Sequence, residues 1–298
     1  MNKKNDKDKL PAWIYVIFIV GLCIVCIAGW YIYSYVSNIM HSQSLFKETK
    51  ELVDNSHIDE QLKKIEEMQG STHSDNTPTP TPLPTEIPEI THIPTITPIP
   101  TPIDYSELLK KNKDVIGWIK VPDTKIDYPV MQTPNNEQYY LERDINGNFS
   151  YSGCLFCNAN ANIEEPSDNI TIHGHHMKAG TMFQNLDYFK KESWYKNHKY
   201  FIFNTLYRTG IYEVVGVYLT DSNYGSYPYW DLASLTETEF NEYIDFIRSH
   251  QVFKISTLDS VHYGDKLVSL STCAYHTTNG KLVVVGKLVD TDDTNLLK

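Results

Sequence analysis

Apolar and polar positions follow three different patterns along this chain. From Ala12 to Val36 there is no alternation at all: the stretch is apolar or aromatic and holds no Asp, Glu, Lys or Arg. As a helix it would extend roughly 37 Å at ~1.5 Å per residue, enough to cross a bilayer core with some tilt. A second pattern follows. Leu45, Leu52, Ile58, Leu62 and Ile65 recur at about helical spacing among charged residues, so 41–69 reads as one or two helical pieces outside the membrane, stopped at Gly70. The third pattern begins after residue 103. Short runs at 118–121, 128–131, 153–156, 169–173, 200–204, 211–219, 266–272 and 282–289 read as eight strands, separated by turn signals such as Asn146-Gly147, Thr209-Gly210 and Asn279-Gly280. Helical spacing interrupts them at two places. One is a short helix over 105–113. The other is 237–250, where Phe240, Tyr243, Ile244 and Ile247 share a face behind Thr236 as N-cap. A mainly β barrel or sandwich with inserted helices is the expected fold.

Between the juxtamembrane helices and the strands, Pro and Thr dominate residues 70–103. Such a tract builds no core and favours extended polyproline II. It could reach roughly 100 Å at ~3.1 Å per residue, as a spacer holding a domain off a membrane or as a plain disordered linker. The expected organisation is a cytoplasmic tail over 1–11, a transmembrane anchor over 12–36, a helical juxtamembrane segment over 41–69, the linker over 70–103 and a globular domain over 104–298.

Charge sets the orientation. Lys3, Lys4, Lys7 and Lys9 precede the apolar stretch, so the N-terminus is expected in the cytoplasm and the C-terminal domain outside. A cleaved signal peptide is the rival reading, but the stretch is long for one. It also ends in Trp30, Tyr31, Tyr33 and Tyr35, which suit an interfacial belt. The net charge of −11 argues against nucleic acid as a partner.

Three of the five cysteines, Cys154, Cys157 and Cys273, fall in the exported part. This is not a disulfide-dense scaffold. Cys154 and Cys157 with the histidines at 173, 175 and 176 raise the thought of zinc. Residues three apart in a strand face opposite sides, however, and no second C-x-x-C exists, so no metal is expected. Cys273 ends a strand-like run. If the loop from Ala274 to Gly280 is a hairpin in its simplest register, Cys273 faces Lys281; a slip by one residue would separate them. A cation there would stabilise a thiolate, or the oxyanion formed when a thiolate attacks a carbonyl. His175 follows Ile170-Thr171-Ile172-His173 and the turn at Gly174, where it could serve as general acid and base. By chemistry alone His173 and His176 are near-equal rivals.

These motifs, taken in order, resemble those of the class B sortases. Ser271-Thr272-Cys273 is similar to the Thr-Leu-x-Thr-Cys signature, with Ser269 in place of the usual first threonine. Val115 to Pro122 with Ile126 to Val130 resembles the start of the class B catalytic domain. Ile172 to Lys178 with Gly180, Met182 and Phe183 resembles its histidine motif, and 237–250 matches its extra helix. The resemblance covers about 104–290. It implies the sortase-type closed β-barrel, here preceded by the one transmembrane helix read from the apolar stretch; no cofactor is expected, and the resemblance itself says nothing for or against a metal. It also implies a cysteine transpeptidase on a Gram-positive cell membrane, with its catalytic domain outside. Such an enzyme cleaves a C-terminal sorting signal of a secreted protein, holds a thioacyl intermediate, and passes it to an amine on a peptidoglycan precursor or pilin. The catalytic residues map to Cys273, His175 and Lys281, with Thr272, Ser271 and His276 expected to bind substrate. One departure stands out. The family has an arginine where this chain has Lys281, and the only arginines are Arg143, Arg208 and Arg248. Lysine keeps the charge but loses the planar fork. Lys281 could substitute, Arg208 could compensate, or the chain could be a weak or inactive module that only binds sorting peptides.

Overall fold

The computed structural model describes residues 11–53, 56–71, 103–293 and 296. Its N-terminal part is helical: α1 runs from Ala12 to Glu51 and α2 from Ser56 to Ser71. The apolar stretch and the first juxtamembrane piece are thus one continuous helix of 40 residues. Trp13–Glu51 contains a window apolar enough to cross a membrane, and none of that window is buried against the protein.

The lower part of α1 and all of α2 lie on the C-terminal domain. Phe46 packs edge-on to Tyr128 with ring centroids 4.9 Å apart, Lys50 pairs with Asp127, and Lys111 with Glu48. Gln61 and Asn204 exchange two buried amide hydrogen bonds of 3.1 and 2.8 Å. Val53, Ile58 and Ile65 belong to the domain's main core. This changes the spacer reading. The Pro/Thr tract itself lies outside the described residues, but the helices before it already sit on the domain after it. Among the described residues, α1 is joined to the barrel by helix packing.

The domain opens with α3, Ser106–Lys111, then β1 (Val115–Lys120), β2 (Asp127–Met131), β3 (Leu155–Cys157) and β4 (Asn169–His173). After α4 (Glu192–Tyr195) come β5 (Tyr200–Thr205) and β6 (Ile211–Asp221), then α5 (Glu237–His250), β7 (Leu267–Cys273) and β8 (Gly280–Asp290). All eight expected strands are present, and their ring closes in the order β1-β2-β3-β4-β7-β8-β6-β5. The run Leu282-Val283-Val284-Val285 is apolar throughout because both of its faces are covered. Leu282 and Val284 fill the barrel, while Val283 and Val285 join a second core against Phe240, Tyr243, Ile244 and Ile247 of α5. Thr236 caps α5 as expected, in a reciprocal capping box with Glu239.

Candidate active site

Strand register places the site. β4 runs parallel to β7 with His173 opposite Ser271, and β7 runs antiparallel to β8 with Cys273 opposite Lys281. Directly opposed residues share a face, as do residues two apart. His173, Ser271, Cys273 and Lys281 therefore all lie on the outer face of the sheet, the side that α5 covers further along. The simplest hairpin register is the one adopted. Lys281 Nζ lies 3.5 Å from Cys273 Sγ.

His175 comes to the same place by another route. The backbone NH of Gly174 donates to Ser271 O at 3.1 Å and Thr272 Oγ1 donates to Gly174 O at 2.8 Å, so the turn after β4 is clasped to β7 on both sides. Gly174 is required by space: a Cβ there would stand 2.3 Å from the Leu155 side chain and 2.8 Å from the Phe183 ring. Past the turn, His175 Nε2 lies 2.8 Å from Leu141 O. A carbonyl oxygen only accepts, so Nε2 carries the hydrogen. Nδ1 of the neutral ring is left with a lone pair for proton exchange. The neighbouring rivals are occupied differently. His176 Nε2 pairs with Asp187 at 2.8 Å.

Cys273, His175, Lys281, His173, Ser271 and Thr272 line one cleft of about 520 Å³, walled by Leu141 and Gln138 on one side and by Tyr229 and Trp230 on the other. His173 stacks on Phe156, and its Nε2 is buried with no partner among the described residues. Burial, with the nearby Lys281 charge adding to it, lowers the His173 pKa to about 4. The ring is neutral near pH 7. Sequence reading had weighed His173 only as a rival to His175.

Other expected residues divide. Ser271 and Thr272 border the cleft, but their hydroxyls are engaged: Ser271 with Tyr229 OH at 2.9 Å, Thr272 with Gly174 O. His276 does not line the cleft. It sits in the exposed β7–β8 turn against Gly280. Arg208 does not compensate for the missing arginine, because its guanidinium is held by the carbonyls of Ile163 and Glu164. Tyr229 and Trp230 come from the long β6–α5 connection, where no periodicity marks a pocket wall. Burial pushes the Tyr229 phenol up to about 12, so it remains a neutral hydroxyl beneath the thiol strand. Cys154 and Cys157 are free and buried, and burial raises both thiols well above the ordinary range. Among the described residues no cluster of His, Cys, Asp and Glu could hold a metal.

Comparison with known proteins agrees with this geometry. The Sortase domain family matches residues 119–289. Sortase B of Staphylococcus aureus is 30% identical over 187 residues, covering 62% of this chain and 74% of that protein. Two solved structures superpose on 62% of this chain and 84% of theirs. A Staphylococcus aureus sortase B–substrate complex is 28% identical with a TM-score of 0.57, and a sortase B from B. anthracis is 31% identical with a TM-score of 0.54. With the family match spanning more than half of the chain and the barrel shared, this protein belongs to the sortase family of cysteine transpeptidases, in its class B branch.

Proposed function

We propose that the chain is a membrane-anchored transpeptidase that uses Cys273 as nucleophile, His175 as acid and base, and Lys281 as the electrostatic partner of the reacting centre. The observation that carries this reading is the 3.5 Å approach of Lys281 to the Cys273 thiol, in a cleft that His175 also lines. The substrate is a secreted protein bearing a C-terminal sorting signal. Cys273 gives its thiol proton to Nδ1 of His175, the thiolate attacks the carbonyl carbon of the scissile peptide, and the negative charge that gathers on oxygen is stabilised by the Lys281 ammonium. His175 gives a proton to the departing amine as the C–N bond breaks, leaving a thioester on Cys273. An amine from a cell-wall precursor or pilin then attacks the thioester. His175 takes its proton, a new amide forms, and the thiolate departs.

A guanidinium can hold two oxygens at once, and a lysine holds them as a point charge. Here His173, neutral and with no partner for Nε2 among the described residues, stands on the same face as Lys281. Of the two side chains, Lys281 is the one placed to meet the oxygen of a bound peptide, while His173 Nε2 is buried.

Intact-mass spectrometry of the full chain in detergent, incubated with a panel of sorting-signal peptides, tests the proposal. A thioacyl mass on Cys273 that is discharged by added amine is the expected result. Absence of any adduct, with Cys273 still alkylated by iodoacetamide, would instead favour the peptide-binding module.

A further inference from the structure

Outside the cleft, the exposed aromatic residues are not scattered evenly. Among the described residues after 103, Phe149 is the one exposed large side chain with no polar atom, at 53% exposure, and Tyr151 beside it is 40% exposed. Their rings touch edge to face with centroids 4.9 Å apart. A surface phenylalanine is unremarkable alone. Its position relative to α1 makes it informative.

The turn 149–151 is bound to α1 just past the apolar stretch. Asn38 Nδ2 donates to Phe149 O at 3.2 Å, Asn38 Oδ1 accepts from Tyr151 N at 2.9 Å, and Ser42 Oγ meets Ser150 Oγ at 2.8 Å. The Tyr151 ring lies 5.1 Å from Tyr35. Trp30, Tyr31 and Tyr33 on the same helix are each more than half exposed. Along the axis, Trp30 and Asn38 are separated by roughly 12 Å at ~1.5 Å per residue. Asn38 itself stands only two residues past the end of the apolar stretch at Val36, roughly 3 Å along the axis, which is within the ~5–8 Å headgroup layer on each side of a bilayer core, the zone in which Trp and Tyr concentrate. Arg143 adds a cation: it bridges to Phe149 through the backbone and lies 4.7 Å over the Tyr139 ring.

We infer that the 149–151 turn is a second membrane contact, placing the Phe149 and Tyr151 rings in the lipid headgroup layer beside α1 so that the catalytic barrel rests on the bilayer surface. The inference rests on the reading that α1 crosses a membrane. Its consequence is local to the chemistry. Arg143 directly follows the 3-10 helix Glu137–Glu142, whose Gln138 and Leu141 wall the cleft and whose Leu141 carbonyl holds His175. The 3-10 helix that lines the cleft and holds His175 would therefore lie beside the membrane surface.

Depth-dependent fluorescence quenching tests this on the full chain reconstituted into vesicles of phosphatidylcholine with a minority of phosphatidylglycerol. Single bimane labels would be attached at Ile24→Cys, Phe149→Cys and Tyr224→Cys, with Cys23 and Cys26 changed to Ser, Cys273 to Ala, and folding checked by circular dichroism. Tyr224 is a fully exposed comparison site. The expected result is quenching of the label at 24 by acyl-chain spin labels, and severalfold stronger quenching at 149 than at 224 by headgroup spin labels. Equal, weak quenching at 149 and 224 with the label at 24 quenched would overturn the docking and leave the anchor standing. An unquenched label at 24 would overturn both.

Discussion

Cys273 and Lys281 face each other across the β7–β8 pair, eight residues apart in sequence and 3.5 Å apart at Sγ and Nζ. Across so short a distance a lysine can act on the charge of the sulfur and on the oxygen that its attack creates. Lys281→Ala is expected to lower kcat/KM by roughly 100-fold, about 2.7 kcal/mol, the size of losing one oxyanion donor. Lys281→Arg should retain or raise turnover. Equal rates for all three proteins in a peptide-cleavage assay would remove Lys281 from the mechanism.

His175 depends on the Leu141 carbonyl, and that carbonyl is crowded by Gly153. Gly153 adopts φ +56°, and a Cβ on it would stand 2.2 Å from Leu141 O. Gly153→Ala should displace the oxygen that fixes the His175 tautomer. The expected outcome is a fall in kcat of at least about tenfold, together with a thermal destabilisation on the order of 1–3 kcal/mol. Steady-state kinetics and a melting curve measure both; full activity would show that Leu141 O has no positioning role.

His173 makes stability depend on pH in a definite direction. An unfolded histidine titrates near ~6.5, whereas folded His173 is held down at about 4, chiefly by burial. Between these values the unfolded chain binds the proton and the folded chain does not, so stability rises with pH. The His173 contribution is complete above pH ~6.5 and is lost as pH falls toward 4, by at most about 3 kcal/mol. His173→Gln, which keeps an N–H donor, should therefore lose less stability than the parent over that window in urea titrations. Parallel curves would show that His173 does not titrate as its burial implies.

Thiol reactivity should be confined to one site in the barrel. Cys154 and Cys157 are buried and their thiols are raised by that burial, with Asp144 and Glu137 respectively adding to it, while Cys273 is partly accessible beside a lysine. Brief iodoacetamide treatment at pH 8, followed by peptide mapping, should modify Cys273 and leave the other two intact. Comparable labelling of Cys154 or Cys157 would contradict the packing of β3.

Acid should also loosen α1 from the barrel. Burial alone would raise the Asp127 carboxyl, but hydrogen bonds from Lys120, Lys50 and Trp118 outweigh it and hold the group below the ordinary carboxylate range. Its stabilising contribution is therefore present above pH ~4 and is lost as pH falls through the lowered folded value. Asp127→Asn should increase hydrogen exchange around Lys50 at neutral pH, and unchanged exchange there would place the docking energy elsewhere.

Local pattern alone carried much of this protein. Short strand-like runs between turn signals located all eight strands, the 3.6 period located α5, and Thr236 was legible as its cap, because each depends on residues close in sequence. The Cys273–Lys281 pair was legible only as the simplest register of the seven-residue loop from Ala274 to Gly280, and the β7–β8 ladder is what selects it over a one-residue slip. What joins distant segments was not. No periodicity states that β4 lies parallel to β7, which alone brings His173 and His175 to the thiol strand. Nor does any mark Tyr229 and Trp230 as cleft walls, because they lie on a connection without regular structure. The Pro/Thr tract suggested a domain held away from its anchor, yet helix packing laid α1 and α2 on the barrel. Composition fixes what a segment can form by itself, while burial of apolar faces and closure of the strand ring fix which segments meet.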